Sequence, residues 1–304
     1  MNYPKSITFF LILWLWNSIL FSQEESLLLL FPKQIQWINP SITAAYGDSS
    51  LGLQLDSQWL GVKDAPKQQS IYYESKNVLK KINWGGVIRN RSRFSENSLQ
   101  FFLQSSIPIQ LATDVLLHLG LQAGGDFFQL NFDYLRSVDG VQIDPLLQKQ
   151  SRFIPNLGTG IYLKYKNYSL QFSLPRLLER YALKKTPEIF LPDRLYFFSA
   201  LQWEQTYYSI YSFFTLELQC HNLGWNPFNI QLKGSYHSTF GNIFMGINSS
   251  KNIGFGFQLH AKQVLTLGYA FQFPLFTNSD LKLNNHSISL RFNLKNSTKN
   301  KPIL

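Results

Sequence analysis

Gln58-Trp59-Leu60-Gly61-Val62-Lys63-Asp64-Ala65-Pro66-Lys67-Gln68-Gln69-Ser70 is the stretch whose reading decides the fold. Before it, Leu51, Leu53 and Leu55 alternate with Gln54, Asp56 and Gln58; after it, Ile71 and Tyr73 alternate with Ser70 and Tyr72. Period-two alternation marks a strand with one apolar and one polar face. Between the two runs stand Gly61, Asp64 and Pro66, residues that turn a chain and interrupt a sheet ladder. The stretch reads as the first hairpin of an all-β protein. The rest of the chain decides between a soluble sandwich and a membrane barrel.

The same alternation recurs to the end. Leu99, Phe101, Leu103 and Ile107 oppose Gln100, Gln104 and Ser106, and Val115, Leu117, Leu119 and Leu121 oppose His118, Gly120 and Gln122. Ile288, Leu290, Phe292 and Leu294 oppose Ser287, Ser289, Arg291 and Asn293. The runs are about nine to eleven residues long, which is what a tilted strand needs to cross a bilayer. Strands of a soluble sandwich are nearer five or six. The polar faces of this chain carry Gln, Ser, Asn and Gly, where those of a soluble sandwich tend to carry more Lys and Glu.

Composition agrees. The chain has 304 residues, 16% aromatic and only 15% charged, against roughly a quarter charged in soluble domains. Mean hydropathy is nevertheless −0.11, as expected when lipid-facing and lumen-facing positions alternate. Strands are expected near 50–60, 66–74, 82–90, 97–107, 114–134, 156–165, 168–175, 194–203, 208–219, 227–237, 241–249, 252–260, 263–273 and 285–294. That makes a transmembrane antiparallel up-and-down β-barrel of about 14 strands (range 12–16), an even number with both termini on one side. One expected strand, 114–134, must run unbroken through Gly124-Gly125.

Outside the barrel, residues 1–22 read as an export signal, with Lys5 before the apolar core Ile7–Phe21. Residues 23–48 read as a periplasmic lead-in with a turn at Asn39-Pro40, residues 49–294 as the barrel, and 295–304 as a basic tail. The expected location is the bacterial outer membrane.

The net charge is +10. The basic residues are scattered without a nucleic-acid-binding motif, so nucleic acid is not an expected partner. Arg89, Arg91, Arg93, Arg176 and Arg180 read as loop residues, either solvated or facing anionic lipid headgroups and lipopolysaccharide phosphates. Catalytic chemistry is poorly supported. Ser106 and His118 can meet across a hairpin, but no third partner and no strained nucleophile turn accompany them. The single cysteine, Cys220, and five widely spaced histidines suggest no disulfide, metal or cofactor. Asp56, Gln58, His118, Glu217, Lys233 and Arg291 are expected to face the lumen, lining an aqueous path or pairing across a packed interior. Trp59 continues the Leu51, Leu53 and Leu55 face and is expected outward, in an aromatic girdle at the membrane rim.

Four motifs recur in an order that resembles a known family. They are Gln58–Gly61 with Ala65–Ser70; Asp144-Pro145; Phe153-Ile154-Pro155-Asn156-Leu157-Gly158-Thr159-Gly160-Ile161-Tyr162; and Ser173-Leu174-Pro175-Arg176-Leu177-Leu178, with Asn39-Pro40 upstream. Together they resemble the PorP/SprF proteins of the type IX secretion system over about residues 35–294. The resemblance implies an outer-membrane barrel of Bacteroidetes that supports export or surface attachment of a partner, such as a gliding adhesin, with other secretion components. Candidate partner-contact loops then hold Gly61, Lys63, Asp64, Pro66, Lys67, Asp144, Pro145, Pro155, Asn156, Pro175 and Arg176. The alternatives are a passive pore or apolar-solute channel and, remotely, a barrel hydrolase.

Overall fold

The computed structural model describes residues 36–47, 49–77, 81–130, 150–178, 194–204, 206–219, 229–248, 251–261, 264–275 and 284–294. Fourteen strands lie among them: β1 (Ser50–Gln58), β2 (Lys67–Ser75), β3 (Asn83–Arg93), β4 (Glu96–Ala112), β5 (Val115–Leu130), β6 (Gln150–Tyr165), β7 (Tyr168–Leu174), β8 (Arg194–Glu204), β9 (Tyr208–Gln219), β10 (Asn229–His237), β11 (Gly241–Asn248), β12 (Asn252–Ala261), β13 (Leu265–Pro274) and β14 (Asn285–Asn293). Each pairs antiparallel with its sequence neighbours, and β1 pairs with β14 to close the barrel.

The alternation explains the closure. Leu103 and Leu121 project outward, 73% and 64% exposed, while their neighbours Gln104 and Gln122 are buried inward. A sheet with one apolar face and no water outside it has nowhere to leave an open edge, because unpaired backbone groups in lipid are too costly. Outward aromatics also pack on one another. Phe101, Phe127 and Phe153 form a cluster on β4–β6, with the Phe127 and Phe153 rings 4.8 Å apart.

Strand boundaries match the sequence expectation except around β4–β6. The connection expected at 108–113 is strand, since β4 runs to Ala112, and β6 begins at Gln150 inside the segment expected as a loop. β5 does run unbroken through Gly124-Gly125. A side chain at Gly124 would collide with the Phe101 carbonyl on β4, so glycine here permits close strand approach.

Pro155 and Asn156, expected in a loop, lie within β6. The reason is the shortness of β7, which has 7 residues beside the 16 of β6. Its last partner pair is Thr159 with Leu174. Beyond it the Leu157 carbonyl accepts from the Leu177 N–H at 2.8 Å, so Leu157, and with it Pro155 two residues earlier, turns its backbone toward the β7 side. Pro155 sits past the paired part of β7, where a missing N–H interrupts no described ladder bond.

The two ends differ in their connections. At one they span 113–114, 166–167, 205–207, 238–240 and 262–264, with 76–82 somewhat longer; at the other, 94–95 and 249–251 are short, 59–66 is intermediate, and 131–149, 175–193, 220–228 and 275–284 are longer. Arg89, Arg91 and Arg93, expected between strands, are on β3, and Arg89 is buried in the interior.

Replacing outward Leu103 by Arg should lower barrel stability by about 2–4 kcal/mol if it lies near the bilayer midplane. Urea unfolding in lipid vesicles would measure this, and an unchanged midpoint would place Leu103 away from hydrocarbon.

Candidate functional site

The lumen holds a peptide. Residues 36–46, expected to lie outside the barrel as part of a periplasmic lead-in, are inside it. Ile38, Asn39, Ser41 and Thr43 are fully buried there, as nearly are Ile42 and Ala44. Local sequence sets the segment's shape. Asn39 accepts from the Ser41 N–H at 3.1 Å and from the Ser41 hydroxyl at 2.6 Å, and Pro40 needs no donor partner at the first helical position. One 3-10 turn, Pro40–Ile42, results. So short a turn has little stability of its own; the wall holds it.

The wall reads both the segment's backbone and its side chains. Gln104 Nε2 on β4 donates to the Gln36 carbonyl at 2.6 Å, and the Ser173 hydroxyl on β7 donates to the Ile38 carbonyl at 2.8 Å. The Thr43 carbonyl accepts from the Ser106 hydroxyl at 2.8 Å and from Asn83 Nδ2 at 3.2 Å. Side-chain contacts add to these, among them Thr43 Oγ1 donating to Gln104 Oε1 at 3.4 Å and the Tyr46 hydroxyl donating to Gln202 Oε1 at 3.5 Å. Asn39 Nδ2 donates to Gln171 Oε1 at 3.1 Å, and Gln171 Nε2 donates to the Tyr46 hydroxyl at 2.7 Å.

Space for the turn comes from glycine. A side chain at Gly120 would strike the backbone of Pro40 and Ser41, one at Gly160 would strike the Asn39 amide, and one at Gly85 would lie 2.7 Å from Thr43 Cγ2. Gly120 and Gly160 are register partners on β5 and β6, so they form one smooth seat. Apolar packing completes it. Ile38 and Ile42 pack in one buried cluster with Tyr162 and Ala200, and the Tyr46 and Tyr162 rings meet edge-on at 5.5 Å.

Charge fixes the segment's two ends. Glu74 on β2 accepts from Gln36 Nε2, from the Ala44 N–H at 2.8 Å and from the Ser50 hydroxyl at 2.6 Å. The same carboxylate pairs with Arg291 Nη2 of β14 at 2.6 Å, both side chains being buried. Arg89 lies with its guanidinium carbon 4.1 Å above the Trp37 ring, a contact that counts for more when desolvated.

Several residues singled out from sequence are placed by the same geometry. Asp56 faces inward and accepts from Gln54 and Gln68 Nε2 atoms at 3.0 and 3.2 Å. Gln58 ends β1 with the same inward parity. His118 is buried, its ring edge-on to Tyr162 at 5.5 Å. Lys233 is buried with Nζ 4.4 Å over the Phe244 ring. Glu217 lies on β9 opposite Tyr196, but its side chain is outside the described residues, as are Asp144 and Pro145. Ser106 faces Gly120 and hydrogen-bonds the inner segment and Asn83, so it does not pair with His118 as a hydrolase dyad would need.

The candidate contact loops divide. Gly61, Lys63, Asp64 and Lys67 are exposed around the β1–β2 turn, whereas Pro66 is buried. Pro175 is also buried, its carbonyl turned inward to accept from Gln122 Nε2 at 2.8 Å, and Arg176 is half-buried. Asn156 faces inward and accepts from the Leu178 N–H at 3.1 Å. Trp59 lies one residue past the end of β1 and takes a left-handed φ of 52°. Half-buried, it packs on Phe94 of the β3–β4 turn at 5.9 Å.

The residues that sequence reading missed are Glu74, Arg89 and the inner segment itself. Glu74 carries a signal, since it continues the inward parity of Ser70 and Tyr72.

Comparison with known proteins fits this barrel. A family model described as type IX secretion system membrane protein PorP/SprF matches residues 31–292. No curated protein matches the chain. Among solved structures, the toluene transporter TbuX of Ralstonia pickettii superimposes with a TM-score of 0.55 at 9% identity, covering 84% of this chain and 92% of TbuX. The P. putida toluene transporter TodX gives 0.49 at 10% identity, over 88% and 95% of the two chains. The likeness to TbuX is one of fold.

Removing one member of the buried pair should cost more than the pair contributes. Arg291→Met strands the Glu74 carboxylate and should destabilise by about 3–5 kcal/mol, while the double change with Glu74→Gln should recover part of this. Denaturant unfolding of the four variants would show it, and additive effects would mean that the two groups do not interact.

Proposed function

The chain belongs to the PorP/SprF family of type IX secretion system membrane proteins, and from that premise we propose that it supports secretion or surface anchoring of a partner protein, such as a gliding adhesin, at the outer membrane. The carrying observation is the family match over residues 31–292, which spans both the barrel and the inner segment. In this reading the end with the longer connections faces the cell exterior and the short turns face the periplasm, the usual asymmetry of such barrels. An N-terminal export signal delivers the chain, and neighbours are lipid, lipopolysaccharide and other type IX components. The protein acts by binding, without a catalytic step or cofactor.

Gly61, Lys63, Asp64 and Lys67 are the described candidates for partner contact at the exterior. They present opposite charges on one turn that is braced by the Phe94 N–H donating to the Asp64 carbonyl at 3.1 Å. A passive pore is the weaker reading, because the inner segment occupies the lumen where it packs against β2 to β8. Intact protein in planar bilayers should therefore conduct poorly, and Gly120→Val, which removes room for Pro40 and Ser41, should raise conductance. Equal conductance would mean that the segment does not obstruct flow.

Deleting the gene should remove a specific protein from the cell surface, read by comparing surface proteomes. Changing Lys63 and Asp64 together to Ala should spare barrel assembly yet reduce display of that protein. Trp59→Ala should instead reduce assembly by loosening the Phe94 contact. If both changes affected assembly alike, the turn would have no separate contact role.

A further inference from the structure

The inner segment is attached differently from everything around it. Each strand of the barrel is held by backbone ladders, whereas residues 36–46 are held by wall side chains: Gln104, Ser106, Asn83, Ser173, Gln171 and Glu74. Most of these hydrogen-bond main-chain atoms, which every polypeptide carries. The described wall thus has the chemistry of a peptide receptor, with an inner segment as ligand. The sequence demands are room over Gly120 and Gly160 for a tight turn, an amide facing Gln171, apolar residues against Tyr162 and Ala200, and polar side chains at the two ends where Gln36 meets Glu74 and Tyr46 meets Gln171.

We infer that this seat is a peptide-binding site in its own right, with residues 36–46 as its built-in occupant. The ligand it takes in exchange is an extended segment of a partner polypeptide carrying an apolar-Asn-Pro-small-apolar turn, as in Ile38-Asn39-Pro40-Ser41-Ile42. Exchange breaks no sheet ladder, because the segment contributes no strand. The buried Glu74–Arg291 pair is formed between wall strands and remains in place when the occupant leaves. Glu74 then offers the incoming chain the acceptor that Ala44 N–H now uses. This deepens the reading of the barrel as a handler of a partner chain and rests on it for the partner's identity.

The test uses the full chain with a site-specific protease sequence inserted after Gly47, folded in lipid nanodiscs and then cut. The probe is a fluorescent synthetic peptide spanning Gln36–Tyr46. We expect the cut segment to stay bound and to exchange saturably with the probe. A probe carrying Asn39→Ala should compete at least about tenfold more weakly, and Gly120→Val in the barrel should abolish uptake. Loss of the cut segment without rebinding, or retention without exchange, would overturn the inference.

If the insertion prevents folding, Ser41→Cys in a Cys220→Ser chain serves instead. Excess unlabelled peptide should speed alkylation of this buried position by a water-soluble maleimide several-fold, and an unchanged rate would overturn exchange. No other secretion component is present in either assay. Failed exchange alongside a surface-protein defect in the deletion strain would sink this inference and leave the type IX reading standing.

Discussion

The rest of the structure depends on the buried contact between Glu74 and Arg291. Their register places it at the closing seam. Glu74 stands opposite Ser50 and Arg291 opposite Gly52, so the pair reaches across β1 from β2 to β14. Gly52 leaves the room; a side chain there would collide with the Tyr72 ring. Taking two charges out of water costs several kcal/mol per ion before their attraction is counted. The carboxylate offsets this by accepting from Ser50, Gln36 and the Ala44 N–H as well. The first strand, the last strand and the lumen segment thereby share one polar centre. Among the described residues Arg291 Nε and Nη1 have no hydrogen-bond partner, which leaves Glu74 as the contact that justifies the arginine's burial.

Much of the fold was legible because a barrel writes its pattern into every strand. Each outward leucine beside an inward glutamine repeats the same statement, and the hairpin at 51–73 already contains it. Boundaries failed where neighbours, not the strand's own residues, set them. Pro155 looks like a loop residue by itself and is tolerated in β6 because β7 ends short of it. Arg89 looks like a loop cation because nothing local shows that Trp37, far away in sequence, will cover it.

The inner segment was hidden for a related reason. Asn39-Pro40 was legible as a turn, and it is one. Its location was not, since a turn with no periodicity points toward no face. The complementary signal lay in the wall. Gly120 stands between the inward His118 and Gln122, and Gly160 beside the inward Tyr162, and only their register on β5 and β6 shows them as one seat. Trp59 marks where parity stops being a guide. It stands one residue past β1 in a left-handed backbone, and parity holds only while the chain stays extended.

The segment also changes what the inward polar residues mean. Amides facing an aqueous channel are satisfied by water and need no fixed partner. Here Gln104 binds both the Gln36 carbonyl and Gln122 Oε1, and Gln122 in turn reaches the Pro175 carbonyl. One chain of amides therefore couples the inner segment to the first residue after β7, at the end bearing the longer connections. The direction of that chain is fixed by its ends. Both terminal acceptors, the Gln36 and Pro175 carbonyls, are main-chain oxygens that cannot donate. Rotating the Gln122 amide would set its Oε1 against the Pro175 carbonyl and its Nε2 against Gln104 Nε2, losing both bonds, so the amides hold one arrangement and tie the segment to the wall.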